Sequence, residues 1–444
     1  MALNDVGRYR QGRRGRKMKR ASDMKHEVIL TSEASGESCS AAVWDPANGS
    51  LLYAYKNAGV LCHRTLQLLN DSYLLGADSS KPCIHVWSLN NPSPVRNLRL
   101  TTPGKVSALT CTPNGSYVIS AVGERLLIWQ SCNGRLVATL TGHLQTITCL
   151  CTTKDGSLFA SAGEDGLVFV WSLYSALNDE RCVAVHKFAD HSLPVGDLHF
   201  GHGRTRARLY SVSLDRTVNI YELCSGIRLL SLVFNMPLTV FAVNIRDSEL
   251  FVGCTTGDIF RCNLHEPPRG LEQHGKVGSD KDAEKNNVLF RAHKFHITAL
   301  SVSGDCLTLL SGATDGAVHI WDITNRHVLR TIEHKGPITA AFFAQAFENF
   351  RATTLRPRLE LRNLQQTSNG NNGTVEVISK GRDSREILNF DSYVQGDVKE
   401  PLAREEMWST KLKLMKAEVE RLKKVNNDMY QHVHTFEYTR KSEQ

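Results

Sequence analysis

The sequence predicts an all-β fold, a seven-bladed β-propeller carrying a C-terminal α-helical coiled-coil segment, and three observations predict it. First, residues 142–171 (GHLQTITCLCTTKDGSLFASAGEDGLVFVW) alternate apolar and polar residues in short runs, Ile147/Cys149/Cys151, Leu158/Ala160 and Val168/Val170. The turn formers Lys154-Asp155-Gly156 and Glu164-Asp165-Gly166 separate the runs, and period two bounded by Asp-Gly turns means antiparallel hairpins. Second, the aromatic that ends this stretch recurs along the chain at Trp44, Trp87, Trp129, Trp171, Tyr221 and Trp321. Cys262 takes its place in one degenerate copy, and the successive steps are 43, 42, 42, 50, 41 and 59 residues. A step of roughly 40–45 residues is one four-stranded blade, and such a hairpin set is marginal alone in water, so the copies must pack on one another. Third, an unbroken heptad pattern closes the chain.

Composition bounds the alternatives. The 444 residues are 41% hydrophobic, enough for a large core. No apolar run approaches the ~20 residues of a bilayer span, and the basic, polar N-terminus lacks the apolar core of a secretion signal. A soluble protein that is neither membrane-inserted nor secreted is therefore expected. The 12 cysteines are scattered, with no C-x-x-C pair, and Cys111, Cys149, Cys151, Cys254 and Cys262 fall in strand patterns. They read as reduced core residues, so neither a disulfide framework nor a metal site nor a cofactor is expected. Of the net charge of +8, residues 1–26 supply +7 and leave the body nearly neutral. A globally basic nucleic-acid surface is not indicated, whereas a basic arm is.

In chain order, residues 1–24 hold too few apolar side chains to fold and form a disordered basic arm. Its dense run, Arg13, Arg14, Arg16, Lys17, Lys19 and Arg20, suits a nuclear import signal, a phosphate-binding arm for RNA or a solvated tail. The propeller is assigned to residues 25–350. The two long steps have visible causes: extra residues around 174–185, and a polar insert at 265–287 that reads as a mobile loop. The first copy supplies only three strands, EVIL, SAAVW and SLLYAY. The missing one stands at 337–343 (PITAAFF), which resembles the innermost strands VSAL and ITAL of other copies and would close the ring. Residues 351–400 form a connector with room for one hairpin. Over 401–440, Trp408, Leu412, Met415, Val419, Leu422, Asn426, Met429, Val433 and Phe436 alternate steps of four and three with charged residues between. That is a coiled-coil seam, and Asn426 at an a position favours a parallel, in-register homodimer; the competing arrangement is an amphipathic helix lying on the propeller or on another partner.

The repeats share a polar set. Ser161, Asp165 and Trp171 stand at relative positions 0, 4 and 10, as do Ser211, Asp215 and Tyr221, and Ser311, Asp315 and Trp321. His143, His191 and His293 precede the three aspartates by about two dozen residues. A buried indole N–H needs an acceptor, and a hydroxyl relayed through imidazole to a turn carboxylate supplies one while joining strands. A Ser-His-Asp hydrolase uses the same residue types, but an enzyme needs one nucleophile and not one per blade, and no G-x-S-x-G elbow or P-loop is present. These residues are therefore expected to be structural, with no catalytic group.

With Gly142-His143, Trp44-Asp45 and Trp321-Asp322 as motif dipeptides, the chain resembles WD-repeat propellers, and the polar set resembles their intrablade tetrad. More specific pieces are SAAVWDPANGSLLYAYK, HSLPVGDLHFG, SLDRTVNIYELCSGIRLLSLVF, HKGPITAA and VERLKKVNNDMYQ. Through these the chain is similar to the WD repeat-containing protein 18 family. The resemblance implies a non-enzymatic subunit of a nuclear complex for ribosome biogenesis, present in nucleolus and nucleoplasm and sometimes called the rixosome. It implies that the propeller binds a large helical-repeat protein subunit, that the C-terminal helix makes a homodimer, and that the complex works on pre-ribosomal particles in large-subunit pre-rRNA processing and maturation. The basic arm is not part of this resemblance. Two readings from other classes stand beside it: a WD-repeat substrate receptor of a ubiquitin ligase, and an RNA-binding adaptor acting through the N-terminal arm.

Overall fold

A computed structural model describes residues 27–365, apart from 37–38, 99, 180–181, 204–206, 266–271, 275–287, 292, 351, 356 and 358, together with 420, 421, 423 and 424. Contacts divide the chain into two units, Met1–Thr374 and Val375–Gln444. In the second unit the described residues Glu420, Arg421, Lys423 and Lys424 are helical and exposed. The basic arm at 1–24 and the seam residues Trp408, Leu412, Met415, Val419, Leu422, Asn426, Met429, Val433 and Phe436 lie outside the described residues.

The first unit is a ring of seven antiparallel sheets. From the channel outward, blade 4 runs Ile147–Thr152, Leu158–Gly163, Val168–Ser172 and His186–Phe188, each strand bonded to the next. The innermost strands of blades 2, 3, 5, 6 and 7 are Gln67–Leu69, Val106–Cys111, Val195–Phe200, Leu238–Val243 and Ile297–Val302. Alternation along a strand sends neighbouring side chains to opposite faces. In blade 4, Val168 and Val170 pack toward blade 5, with Val195, Leu209 and Tyr221, while Phe169 and Trp171 pack toward blade 3, with Ile119 and Ile128. The core is thus divided into seven apolar layers, one between each pair of adjacent blades.

Blade 1 is assembled from both ends of the propeller. Its order from the channel is Ile338–Gln345, Glu27–Glu33, Ala41–Trp44 and Leu51–Tyr55. The register runs from Glu27↔Gln345 to Glu33↔Ile338, and Ser32 Oγ lies 2.6 Å from Thr339 Oγ1. Ile338 and Ala341 enter the layer shared with blade 7, whereas Ala340 and Ala344 enter the layer shared with blade 2.

One segment departs from the sequence expectation. Within the insert expected as a loop, Glu272–His274 adds a fifth strand to blade 5, parallel to Ile227–Val233 and in register Ser231↔Glu272. An outermost strand has an unpaired edge, and the insert is long enough to turn back onto it. After Phe350 the described residues 352–365 form no strand. They run back along blades 2 and 3, where Leu361 and Leu364 are buried against Leu136 and Trp129. Arg362 N and Gln365 N donate to Ser131 O and Gly134 O. A Cβ at Gly134, whose φ is +69°, would stand 1.8 Å from Asn363 O, so only glycine lets the segment lie there. The hairpin expected further along, at TVEVIS, lies outside the described residues.

Candidate functional site

Three of the blades carry a buried polar chain. In blade 4, His143 Nδ1 lies 3.1 Å from Asp165 Oδ2, its Nε2 lies 2.9 Å from Ser161 Oγ, and Trp171 Nε1 donates to Ser161 Oγ at 3.0 Å. Blade 7 repeats this with His293 Nδ1 3.1 Å from Asp315 Oδ2, Nε2 2.7 Å from Ser311 Oγ, and Trp321 Nε1 donating to Ser311 Oγ at 2.8 Å. With a proton on Nδ1 facing the carboxylate, Nε2 is left to accept from the serine, and the serine in turn accepts from the indole. Each carboxylate also ties the loop beside it: the Leu144 amide donates to Asp165 Oδ2 and the Ala317 amide to Asp315 Oδ1.

Blade 5 differs in its last member. His191 Nδ1 lies 2.9 Å from Asp215 Oδ2 and Nε2 lies 2.7 Å from Ser211 Oγ. Tyr221, in the place of the indole, stacks on Phe188 at 4.0 Å between ring centroids. Thr217 Oγ1 adds a contact, 3.1 Å from His191 Nδ1 and 2.5 Å from Asp215 Oδ1.

These chains are shielded from water. Ser161, Ser211 and Ser311 are each 0% exposed, so no substrate carbonyl reaches their Oγ atoms in this fold. Burial lowers the pKa values of His143 and His293 despite the facing carboxylates of Asp165 and Asp315. Burial pushes Asp215 up, but the bonds from His191, Thr217 and the Ser192 amide together outweigh it and hold the group at about 2.

A second polar feature crosses the channel and was not singled out in the sequence. The innermost strands enclose a space of about 280 Å³. Arg64, in the segment entering blade 2 and at φ +56°, places its guanidinium 2.9 Å from Asp197 Oδ1 of blade 5. It also donates to Gly196 O, and to Thr239 O at 3.2 Å. Asp197 accepts from the Leu198 and Phe241 amides at 2.9 and 3.2 Å. Burial raises the Asp197 pKa, although Arg64 opposes it. A signal for this pair exists in the sequence: Asp197 is a lone charge in VGDLHF, where the matching strands read VSALTC, ITCLCT, LTVFAV and ITALSV.

Hydroxyls at one bulged position of these strands bridge blade to blade. Ser107 Oγ, Thr148 Oγ1 and Thr239 Oγ1 donate to Ile147 O, Val195 O and Ile297 O at 2.6, 2.5 and 2.6 Å. Gly196 occupies the position in blade 5, where a Cβ would stand 2.7 Å from Thr239 O.

Comparison with known proteins places this ring. The family model "WD domain, G-beta repeat" matches residues 134–172 and 285–322. WD repeat-containing protein 18 of Mus musculus is 37% identical over 338 residues, 76% of this chain and 77% of that protein. The pre-rRNA-processing protein IPI3 of Yarrowia lipolytica is 32% identical over 319 residues, 69% of this chain and 72% of that protein. Among solved structures, the WD40 β-propeller domain of Doa1 is similar with a TM-score of 0.50 at 14% identity, covering 63% of this chain and 85% of that one, a likeness of fold alone.

Proposed function

The chain belongs to the WD repeat-containing protein 18 family, and from that premise we propose that it is a non-enzymatic scaffold subunit in ribosome biogenesis, acting in large-subunit pre-rRNA processing and particle maturation. The observation that carries this reading is the 32% identity to a pre-rRNA-processing protein across 69% of the chain. The architecture supports it. Buried His-Ser-Asp chains fix the blades rather than meet substrate, and a rigid ring presents loops to partners. In this reading the propeller binds a large helical-repeat subunit, and the heptad seam at 408–436 pairs two copies in parallel through Asn426. Residues 13–20 direct the protein to the nucleus, where it contacts pre-ribosomal particles.

Affinity purification with mass spectrometry tests the assignment: ribosome-processing subunits and large-subunit precursor RNA are expected, and recovery of cullin adaptors in their place would overturn it. For the seam, Leu422→Asp should give monomers by light scattering with the propeller melt unchanged; a persisting dimer would mean that the seam faces something else. If RNA is held through the arm, deleting residues 8–20 should abolish crosslinking and flatten the salt dependence of affinity.

A further inference from the structure

Blade 2 has none of the His-Ser-Asp chains found in blades 4, 5 and 7. Its turn between the second and third strands, Tyr73–Ala77 and Cys83–Ser88, holds a different cluster. Asp78 leads the turn, and Cys83 and His85, two residues apart on one strand, point to the same face. His85 Nε2 lies 3.1 Å from Asp78 Oδ2 and 3.9 Å from Cys83 Sγ. One ligand atom from each of the three residues falls within a 4.8 Å span.

The geometry points to a binding site for a divalent, thiolate-accepting cation of the Zn²⁺ class, formed by Asp78, Cys83 and His85 with one coordination position open. Usual Zn–N, Zn–O and Zn–S lengths set tetrahedral edges of about 3.4 Å for N···O and about 3.6 Å for S···N. The observed 3.1 and 3.9 Å lie within ~0.3 Å of these, a shift that side-chain rotation supplies. Mixed N, O and S donors suit zinc over magnesium or calcium, which take oxygen.

The surroundings hold the ligands in place. Asp78 Oδ1 accepts from the Ser80 amide, the Ser80 hydroxyl and the Lys81 amide at 2.8, 2.7 and 3.1 Å, which leaves Oδ2 turned toward the imidazole. The Asp78 amide donates to Cys83 O at 3.0 Å and the Cys83 amide to Lys81 O at 2.8 Å, so the turn carrying all three residues is cross-bonded. Outer hydrogen bonds of this kind orient metal ligands before the ion arrives. Cys83 is free, and its edge of the cluster, with His85, lines a cleft of about 640 Å³ shared with Asn57, Ser93 and Arg96. The open position faces a space that admits water or a partner's carboxylate.

Binding requires a protonic exchange that can be written out. The Cys83 thiol loses its proton to solvent as the metal–sulfur bond forms. His85 now gives the proton on Nε2 to the Asp78 carboxylate; to offer the Nε2 lone pair to the metal it moves that proton to Nδ1 through solvent, a tautomer exchange that releases no proton. Asp78 is already ionised: burial raises its pKa, but the Ser80, His85 and Lys81 bonds outweigh it and hold the group at about 2.

The test uses the full-length protein, freed of metal with chelator and titrated with Zn²⁺ and separately with Co²⁺. One tight equivalent of Zn²⁺ per chain is expected, with release of about one proton at neutral pH, a raised melting temperature, and a near-ultraviolet thiolate-to-metal band when Co²⁺ is bound. Cys83→Ser should keep the metal-free melt, abolish the band and weaken Zn²⁺ binding at least tenfold. His85→Gln, which can still bond Asp78, should weaken it similarly. Absence of a tight equivalent would overturn the proposal, as would binding and a Co²⁺ band that persist unchanged in Cys83→Ser, since other cysteines would then be the ligands.

Discussion

At the scale of single residues, the buried imidazoles are where solution conditions reach the fold. His143 and His293 have lowered pKa values, and His319, whose ring lies 4.4 Å from that of His293, is brought down from 6.5 to about 4 by burial and then by His293. Each binds a proton more readily in the unfolded chain, so their effect on stability is absent above neutrality and grows as pH falls through about 6.5 toward about 4. The unfolding free energy from urea titrations should be flat between pH 7 and 8 and drop on acidification, by an amount on the order of a few kcal/mol in total, and the urea midpoint should fall with it. A midpoint that holds steady down to pH 4.5 would contradict neutral, buried imidazoles. The three histidines of the repeated set were readable from their spacing to Asp165, Asp215 and Asp315. His319 was not: His85 stands at the same place in blade 2, two residues before the strand-ending aromatic, but His319 owes its environment to the neighbouring His293 and to Thr331 Oγ1 at 2.9 Å, which the repeat does not show.

At the scale of elements, the alternating apolar runs of the blades became strands, since period two is set by the pleat and is visible without tertiary knowledge. What alternation does not specify is the partner of an outermost edge. Glu272–His274 lies in a charged stretch with no strand pattern, and it pairs because the edge of Ile227–Val233 offers free backbone groups. The same limit applies to 352–365, whose two buried leucines follow no period. The innermost strand of blade 1 carries the sharpest test. Removing residues 335–345 takes away the strand bonded to Glu27–Glu33 and empties side chains from two interblade layers. Loss of the cooperative thermal transition by circular dichroism is expected; an unchanged melting temperature would show that the ring stands without it.

At the scale of the whole molecule, seven layers distribute the apolar burial, and Arg64 adds the one described ion pair that joins blades on opposite sides of the ring. Both of its side chains are 17% exposed. Arg64→Met would leave the Asp197 carboxyl buried without its cation, so that folding must either hold an uncompensated charge or protonate the group, at a cost of up to about 3–5 kcal/mol in urea unfolding. Arg64→Met combined with Asp197→Leu should recover most of that loss, and a single variant as stable as the parent would mean that the pair is solvated in solution. The number of blades was legible from six strand-ending aromatics and Cys262 in the seventh place, whereas this pairing was not. A sequence shows that Asp197 is a charge in an apolar strand, but only closure of the ring brings it to a residue from three blades away.

Closure by a late strand also has a temporal consequence. Ser32 and Thr339, which meet in blade 1, are 307 residues apart. At synthesis rates of ~5–20 residues per second, the first strands of the nascent chain wait on the order of 15–60 seconds for their innermost neighbour. Through that interval Glu27–Glu33 leaves the ribosome with an open edge and apolar Val28, Ile29 and Leu30 uncovered. Until residue 345 clears the exit tunnel, that edge has no native strand to pair with.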